Sequence, residues 1–312
     1  MARILITGGA GFIGSAISPL LAEESNLVVI YDRKPPVEPR VHDCHAIDAQ
    51  LGDIRDFDCV AECVKHFAPT HIFHLAAMHF VPHCEQQPEE AFDINVNGLQ
   101  TLLLALSEQR CRARIIFVSS AAVYGDSPAP ARETDDVSPF DVYGHTKLQA
   151  ERLLQAHCVT ERLPFTILRL FNVYGHGDNT PHVIPHILAQ LRDHDEIEVG
   201  NLLPTRDFVH ISDVASAIYN IFRMHPRQDL FNVGSGCSYS VGEVLQIIGS
   251  IVREQSYRNS SFQIRVNPLL KRSKERMRLT ADIQRIRYAA RWTPRMQLRD
   301  GLAQLLKELF ER

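Results

Sequence analysis

The chain has 312 residues, with 33 Lys plus Arg against 37 Asp plus Glu and a formal net charge of −4; 45% of the residues are hydrophobic and 22% charged. That balance excludes a disordered chain, and its near-neutrality excludes a generally basic nucleic-acid binder. The length suits about two domains, each with its own core.

The first residues, Met1-Ala2-Arg3-Ile4-Leu5-Ile6, run straight into a strand pattern, without the charged leader, apolar stretch and cleavage site of a secretory signal. No run approaches the ~18 consecutive apolar residues of a membrane span. The cysteines (Cys44, Cys59, Cys63, Cys84, Cys111, Cys158 and Cys237) are odd in number and lack any Cys-x-x-Cys pair. They read as reduced thiols, so a cytoplasmic protein with neither membrane nor nucleic-acid partner is expected.

After the strand Ile4-Leu5-Ile6 comes Gly8-Gly9-Ala10-Gly11-Phe12-Ile13-Gly14, which opens a helix. Glycines are needed where the backbone turns sharply and where a pyrophosphate must approach without a Cβ in the way. The helix N-terminus then offers free N–H groups and a positive dipole end. Leu27 to Tyr31 forms a second buried strand, and Asp32 ends it 18 residues after Gly14. A carboxylate there accepts hydrogen bonds from ribose hydroxyls and repels a 2′-phosphate, which favours NAD over NADP. Arg33, next door, pulls the other way. Asp53, before Ile54, either borders the adenine or caps a helix.

Ile72 to Leu75, Ile115 to Val118 and Phe165 to Leu168 continue the buried strands. Between them lie amphipathic stretches such as Asn97 to Gln109 and Thr146 to His157. Strand–helix alternation at this spacing argues for a doubly wound parallel sheet, a Rossmann α/β domain. Ser120 follows the strand ending at Val118, at the carboxyl end where such sheets place ligands. Tyr143 and Lys147 stand four apart, on one face of a helix. A phenol has a pKa of ~10, so it works as a base near neutrality only beside a cation, which Lys147 supplies.

After Asn172 the pattern becomes irregular, with Gly175, Gly177, Pro181, Pro185, Gly200 and Pro204; a strand-and-helix rhythm returns between Phe208 and Val233. The expected division is a Rossmann domain at 1–171 and 207–236, with a second, smaller α/β substrate domain at 172–206 and 237–312. Residues 258–299 hold 12 Lys plus Arg against Glu275 and Asp282, a local +10 that leaves −14 elsewhere. This is either a polyanion site or a solvated face. His79, His83 and Cys84, and the pair His182 and His186, have spacings seen in zinc sites, but no complete tetrahedral set is evident, so no metal is expected.

Together the glycine loop, His74-Leu75-Ala76-Ala77, Asn95-Val96-Asn97-Gly98, Ser119 to Gly125, the Tyr/Lys pair, Arg169 to Gly175, Arg206 to His210, Phe231 to Gly236 and Trp292-Thr293-Pro294 resemble the extended short-chain dehydrogenase/reductase family. Within it the chain resembles the NAD-dependent nucleotide-sugar epimerase/dehydratase group, over nearly its whole length. The resemblance implies a catalytic triad of Ser120, Tyr143 and Lys147. It implies cofactor contacts from Gly8, Gly11, Phe12, Ile13, Gly14, Asp32, Asp53, Ile54, Leu75, Ala76, Ala77 and Asn95, besides Tyr143 and Lys147. Substrate contacts would come from Ser120, Asn172, Val199, Arg206 and Arg272, the arginines meeting a diphosphate; His79 is a less typical addition. A residue at Leu279 would gate the sugar's N-acetyl group.

One departure is informative. The group's 4,6-dehydratases carry Asp-Glu after the active-site Thr, whereas Ser120 here is followed by Ala121 and Ala122. Elimination and decarboxylation are therefore disfavoured, which leaves 4-epimerisation of a nucleotide-diphosphate sugar, with 4-ketoreduction as the alternative. A non-catalytic sensor of NAD or nucleotide sugar would not need the tyrosine base. In this group the helices matching 98–109 and 146–157 pair across a homodimer. Here they carry Leu99, Leu102, Leu103, Leu106, Leu148, Leu153 and Leu154, more apolar residues than one packed face requires.

Overall fold

The computed structural model describes residues 1–23, 26–36, 47–227, 229–257, 262–270 and 275–311. Along the first half run β1 (Arg3–Thr7), α1 (Phe12–Ala22), β2 (Leu27–Asp32), β3 (Ile47–Leu51), α2 (Phe57–Phe67) and β4 (His71–His74). Two short helices, α3 (Val81–Gln86) and α4 (Pro88–Phe92), and a wide turn at Asp93–Asn97 lead into α5 (Gly98–Glu108), β5 (Arg114–Ser120), α6 (Val142–Glu161) and β6 (Phe165–Leu170). The second half contains β7 (Asn172–Tyr174), α7 (Val183–Asp193), β8 (Glu196–Val199), β9 (Thr205–His210), α8 (Ile211–Met224), β10 (Leu230–Val233), β11 (Ser238–Ser240) and α9 (Val241–Glu254). It closes with β12 (Gln263–Val266), β13 (Arg278–Leu279), α10 (Gln284–Ala289) and α11 (Leu298–Phe310).

Seven parallel strands form the main sheet in the order β10-β6-β5-β4-β1-β2-β3. Side chains alternate across such a sheet, so each strand feeds two cores. Ile4, Ile6, Ile116 and Val118 pack on one face with Ile17 and Leu21 of α1 and with Val214, Ile218 and Ile221 of α8. Leu5, Ile115 and Phe117 pack on the other with Val60 and Val64 of α2, Leu102 and Leu106 of α5, and Leu154 of α6. This is the doubly wound Rossmann architecture expected from the alternation of strand and helix patterns.

A smaller lobe is built on β11-β9-β13, with β7 beside β9, and on the separate pair β12-β8. Its core joins α7, α9 and α11 through Ile187, Leu245 and Leu302. The boundary expected at 207 falls inside β9, whose partners are all in the smaller lobe. Near the C-terminus, Ile286, Ala290 and Trp292 return to the large-sheet core, because the Trp292 indole N–H reaches the Asp213 carbonyl and Ser216 Oγ of α8. No helix among the described residues is long and apolar enough to cross a membrane.

The leucines that suggested surplus apolar surface are mostly spent inside the chain. Leu99, Leu102, Leu103, Leu106, Leu148 and Leu154 are all buried, and Leu153 packs against the same core. On α5, Leu104 is the large apolar side chain left exposed, at 51%.

Candidate active site

The carboxyl ends of the sheet strands and the smaller lobe enclose a cleft of about 770 Å³. At its floor the chain turns from β1 into α1 through Gly8, which adopts φ +71°. That left-handed conformation favours glycine, and a Cβ on Gly8 would also run into the Ala76 backbone. Gly11 begins α1 with no side-chain cap, so the first N–H groups of the helix face the cleft unsatisfied by side chains. Asp32 Oδ2 accepts the Ala10 N–H at 3.0 Å, which fixes the carboxylate against the glycine loop. A cradle that a Cβ would fill, an open helix N-terminus and a carboxylate at the end of β2 together fit a dinucleotide. Phe12, Ile13, Gly14, Leu75, Ala76 and Ala77 line the same cavity.

Further along the cleft, Ser120 ends β5, and its Oγ accepts the Ala122 N–H at 3.1 Å. Asp141 caps α6 by accepting the Gly144 N–H at 2.7 Å, so Tyr143 enters the helix in its first turn. Gly144 allows the close approach: a Cβ there would stand 2.5 Å from the Ala122 carbonyl oxygen. The turn after Ser120 can therefore lie against α6, which brings the Ser120 hydroxyl beside the Tyr143 phenol, close enough to oppose the rise in its pKa. Lys147, one helical turn on, is buried; its Nζ donates to the Val118 carbonyl at 2.8 Å and sits 4.9 Å from the Phe117 ring centroid.

The electrostatics differ from the expectation that Lys147 lowers the Tyr143 pKa. Burial raises Tyr143 well above 10 and outweighs the opposing hydrogen bond from Ser120. Burial likewise pushes Lys147 down to about 8, against the charge of Glu151 that holds it up. Desolvation dominates both groups because each loses more hydration than its neighbours return.

Asn172, Arg206, His79 and Leu279 also line the cleft, with Leu279 directly beside Arg206 in the β13–β9 register. His79 Nε2 lies 3.2 Å from Thr180 Oγ1, and its ring is 5.6 Å from that of His182. Crowding by protein lowers His79 to about 4, so it meets a ligand as a neutral ring.

Three expected contacts differ. Asn95 is buried behind the cleft wall: its amide accepts from the Met78 N–H at 2.7 Å and donates to the Met78 carbonyl at 3.0 Å and to Thr146 Oγ1 at 2.9 Å. It ties the loop after β4 to α6, positioning the wall without touching the cavity. Val199 is 4% exposed and lies in the smaller lobe's core beside Ile197, since β8 turns that side chain toward α7 and α9. Asp53 and Ile54 do line the cleft, but the Asp53 carboxylate is gripped by Arg55 at 3.0 and 2.7 Å. That ion pair holds its pKa below the usual carboxylate value. The helix cap nearby is Asp56, which accepts the Cys59 N–H. Arg272 lies outside the described residues.

Sequence reasoning passed over Phe140 and Asp178 and left Arg276 undistinguished among its basic neighbours, although all three line the cleft. The signal for Asp178 was its place just past β7, at a strand end; Phe140 and Arg276 carried none. Among the described residues no group of three or more His, Cys, Asp or Glu side chains converges as a metal site. His186 turns instead to the Glu198 carbonyl at 3.2 Å and to Gln190.

A family model described as NAD dependent epimerase/dehydratase family matches residues 4–234. A UDP-glucose 4-epimerase of Lacticaseibacillus casei is 32% identical over 280 residues, covering 81% of this chain and 82% of the relative. A dTDP-L-rhamnose 4-epimerase of Burkholderia thailandensis is 30% identical, with 80% of each chain covered. Among solved structures, MoeE5 in complex with UDP-glucuronic acid and NAD superposes with a TM-score of 0.84 at 30% identity, covering 96% of each chain.

Proposed function

Since the chain belongs to the NAD dependent epimerase/dehydratase family, we propose that it interconverts a nucleotide-diphosphate sugar and its C4 epimer through a transient 4-keto sugar. One observation carries this reading: the Ser120–Tyr143 corner opens onto the cleft with Ala121 and Ala122 beside it, so elimination finds neither acid nor base there. The nearby carboxylates are already engaged. Asp141 caps α6; Asp178 accepts the Thr180 N–H at 3.1 Å and faces His182 Nδ1 at 3.4 Å.

NAD held on the glycine cradle supplies a reversible hydride acceptor and a positively charged ring. Tyr143 takes the proton of the C4 hydroxyl as that carbon is oxidised, and returns it when the carbon is reduced on its other face. Ser120 hydrogen-bonds the same oxygen and keeps the proton path short. Lys147 stands one helical turn behind the phenol, held by the Val118 carbonyl. Asn172, Arg206 and His79 would hold the nucleotide sugar, the guanidinium pairing with phosphate oxygens.

The test is the product. Incubation with a panel of UDP-, dTDP- and GDP-sugars, followed by mass spectrometry and NMR, should give a product isomeric with its substrate and inverted at C4, with no net reduced cofactor. A dehydrated product would overturn the reading. Stoichiometric consumption of reduced cofactor would replace it with 4-ketoreduction.

The same proposal includes a homodimer in a reducing, cytoplasmic setting. The thiols support the setting, as Cys59, Cys63, Cys84, Cys111, Cys158 and Cys237 are all free. For the dimer, Leu104 of α5 is the apolar side chain a partner would cover. Light scattering at micromolar protein should give twice the chain mass; a monomer would refute the dimer alone.

A further inference from the structure

The steps above make no use of Arg276. Its side chain is buried at 8% exposure yet borders the cleft. Its Nη2 donates to the Ala122 carbonyl at 3.1 Å, its guanidinium lies 5.2 Å from the Phe140 ring centroid, and its Nε has no hydrogen-bond partner. Among the described residues it forms no ion pair. The acids whose fields reach it, Asp141 and Asp126, spend carboxylate oxygens on the N–H groups of Gly144 and Arg278. Glu275, next in sequence, accepts from Asn201.

A buried cation with no carboxylate in contact is costly to maintain, and a ligand anion is one way to offset that cost. A guanidinium set over an aromatic ring presents a planar fork that matches a carboxylate. The tether decides which part of the ligand it meets. Ala122, which holds Arg276, donates its N–H to Ser120 Oγ, and Phe140 stands three residues before Tyr143. Arg276 therefore sits at the end of the cleft where the C4 hydroxyl is gripped. In a pyranose the neighbours of C4 are C3, with its hydroxyl, and C5, which bears C6; of the two substituents only C6 can be oxidised to the carboxylate that would pair with a guanidinium at this corner.

We propose that Arg276 anchors a carboxylate at C6, making the substrate a nucleotide uronic acid rather than a neutral nucleotide hexose. The inference rests on the nucleotide-sugar reading of the cleft and names the class of sugar within it.

Calorimetric titration of the NAD-loaded protein with UDP-glucuronic acid and with UDP-glucose tests it without requiring turnover. The wild type should bind the uronate at least about tenfold more tightly, the low end for a charge-assisted contact. In Arg276→Leu that preference should fall to near one, and Arg276→Lys, which keeps the charge but loses the fork, should be intermediate. Equal wild-type affinities, or tighter binding of the hexose, would overturn the proposal while leaving the nucleotide-sugar reading standing. So would an equal weakening of both ligands in Arg276→Leu, the signature of a diphosphate contact. Binding of no UDP-, dTDP- or GDP-linked uronate or hexose would overturn both readings. The wild-type comparison decides the matter even if the variants fail to fold.

Discussion

Tyr143→Phe is expected to lower turnover by about 10²–10⁴-fold, the usual contribution of a positioned acid–base group. The substitution removes one oxygen from a side chain held in the first turn of α6, which is itself capped by Asp141. Neither the glycine cradle nor Asp32 touches that oxygen, so NAD affinity and the thermal midpoint should stay near wild type. The protein alone leaves the phenol protonated at neutral pH, because burial outweighs the Ser120 hydrogen bond. Proton uptake by Tyr143 therefore needs a positive charge that the protein alone does not supply, that of bound NAD. Ser120→Ala should cost less, since it removes one hydrogen bond to the reacting oxygen and leaves the base in place. Undiminished turnover in Tyr143→Phe, measured with any substrate the wild type converts, would sink this mechanism.

The largest expected loss of stability lies one helical turn beyond Lys147. Glu151 is 2% exposed and Arg169 5% exposed. The carboxylate accepts Arg169 Nε at 3.0 Å and Nη2 at 2.7 Å, and also the Ser119 hydroxyl. The guanidinium in turn lies 4.7 Å from the Tyr124 ring centroid. Glu151→Ala would strand Arg169 as a buried cation, a defect worth about 3–5 kcal/mol when one partner of such a pair is removed. At ~2.1 cal/mol/K per residue of unfolding entropy, the thermal midpoint should drop by roughly 5–8 °C. The double variant Glu151→Leu/Arg169→Met should lose less than the sum of the single changes, because neither charge is then left alone. A Glu151→Ala midpoint equal to wild type would show that the pair is not a structural element of this core. Glu151 also bears on the site, since its charge holds the Lys147 pKa up against burial.

By itself, the sequence determined what depends on spacing within one element. Short, continuously apolar runs such as Ile4-Leu5-Ile6 announced buried parallel strands, and those side chains do divide between two cores. Gly8, Gly11 and Gly14 announced a backbone that must turn and admit a ligand; Tyr143 and Lys147, four apart, had to share a helix face. Ser120 at the end of β5 was legible for the same local reason. What the tertiary structure decided was which side chains from distant segments meet, and what burial does to their charges. Asn95 and Val199 look like plausible contacts until the fold turns one to the Met78 backbone and the other into the smaller lobe's core. Asp53 reads as a free carboxylate until Arg55 grips it. The leucines of α5 and α6 suggest surplus until the sheet and the turn after β5 cover them. Arg276 was one charge among many until Ala122 and Phe140, more than 130 residues away in sequence, fixed it at the cleft. Local pattern encodes backbone geometry and facing, whereas desolvation and pairing across the chain arise only when the packed lobes bring remote groups together.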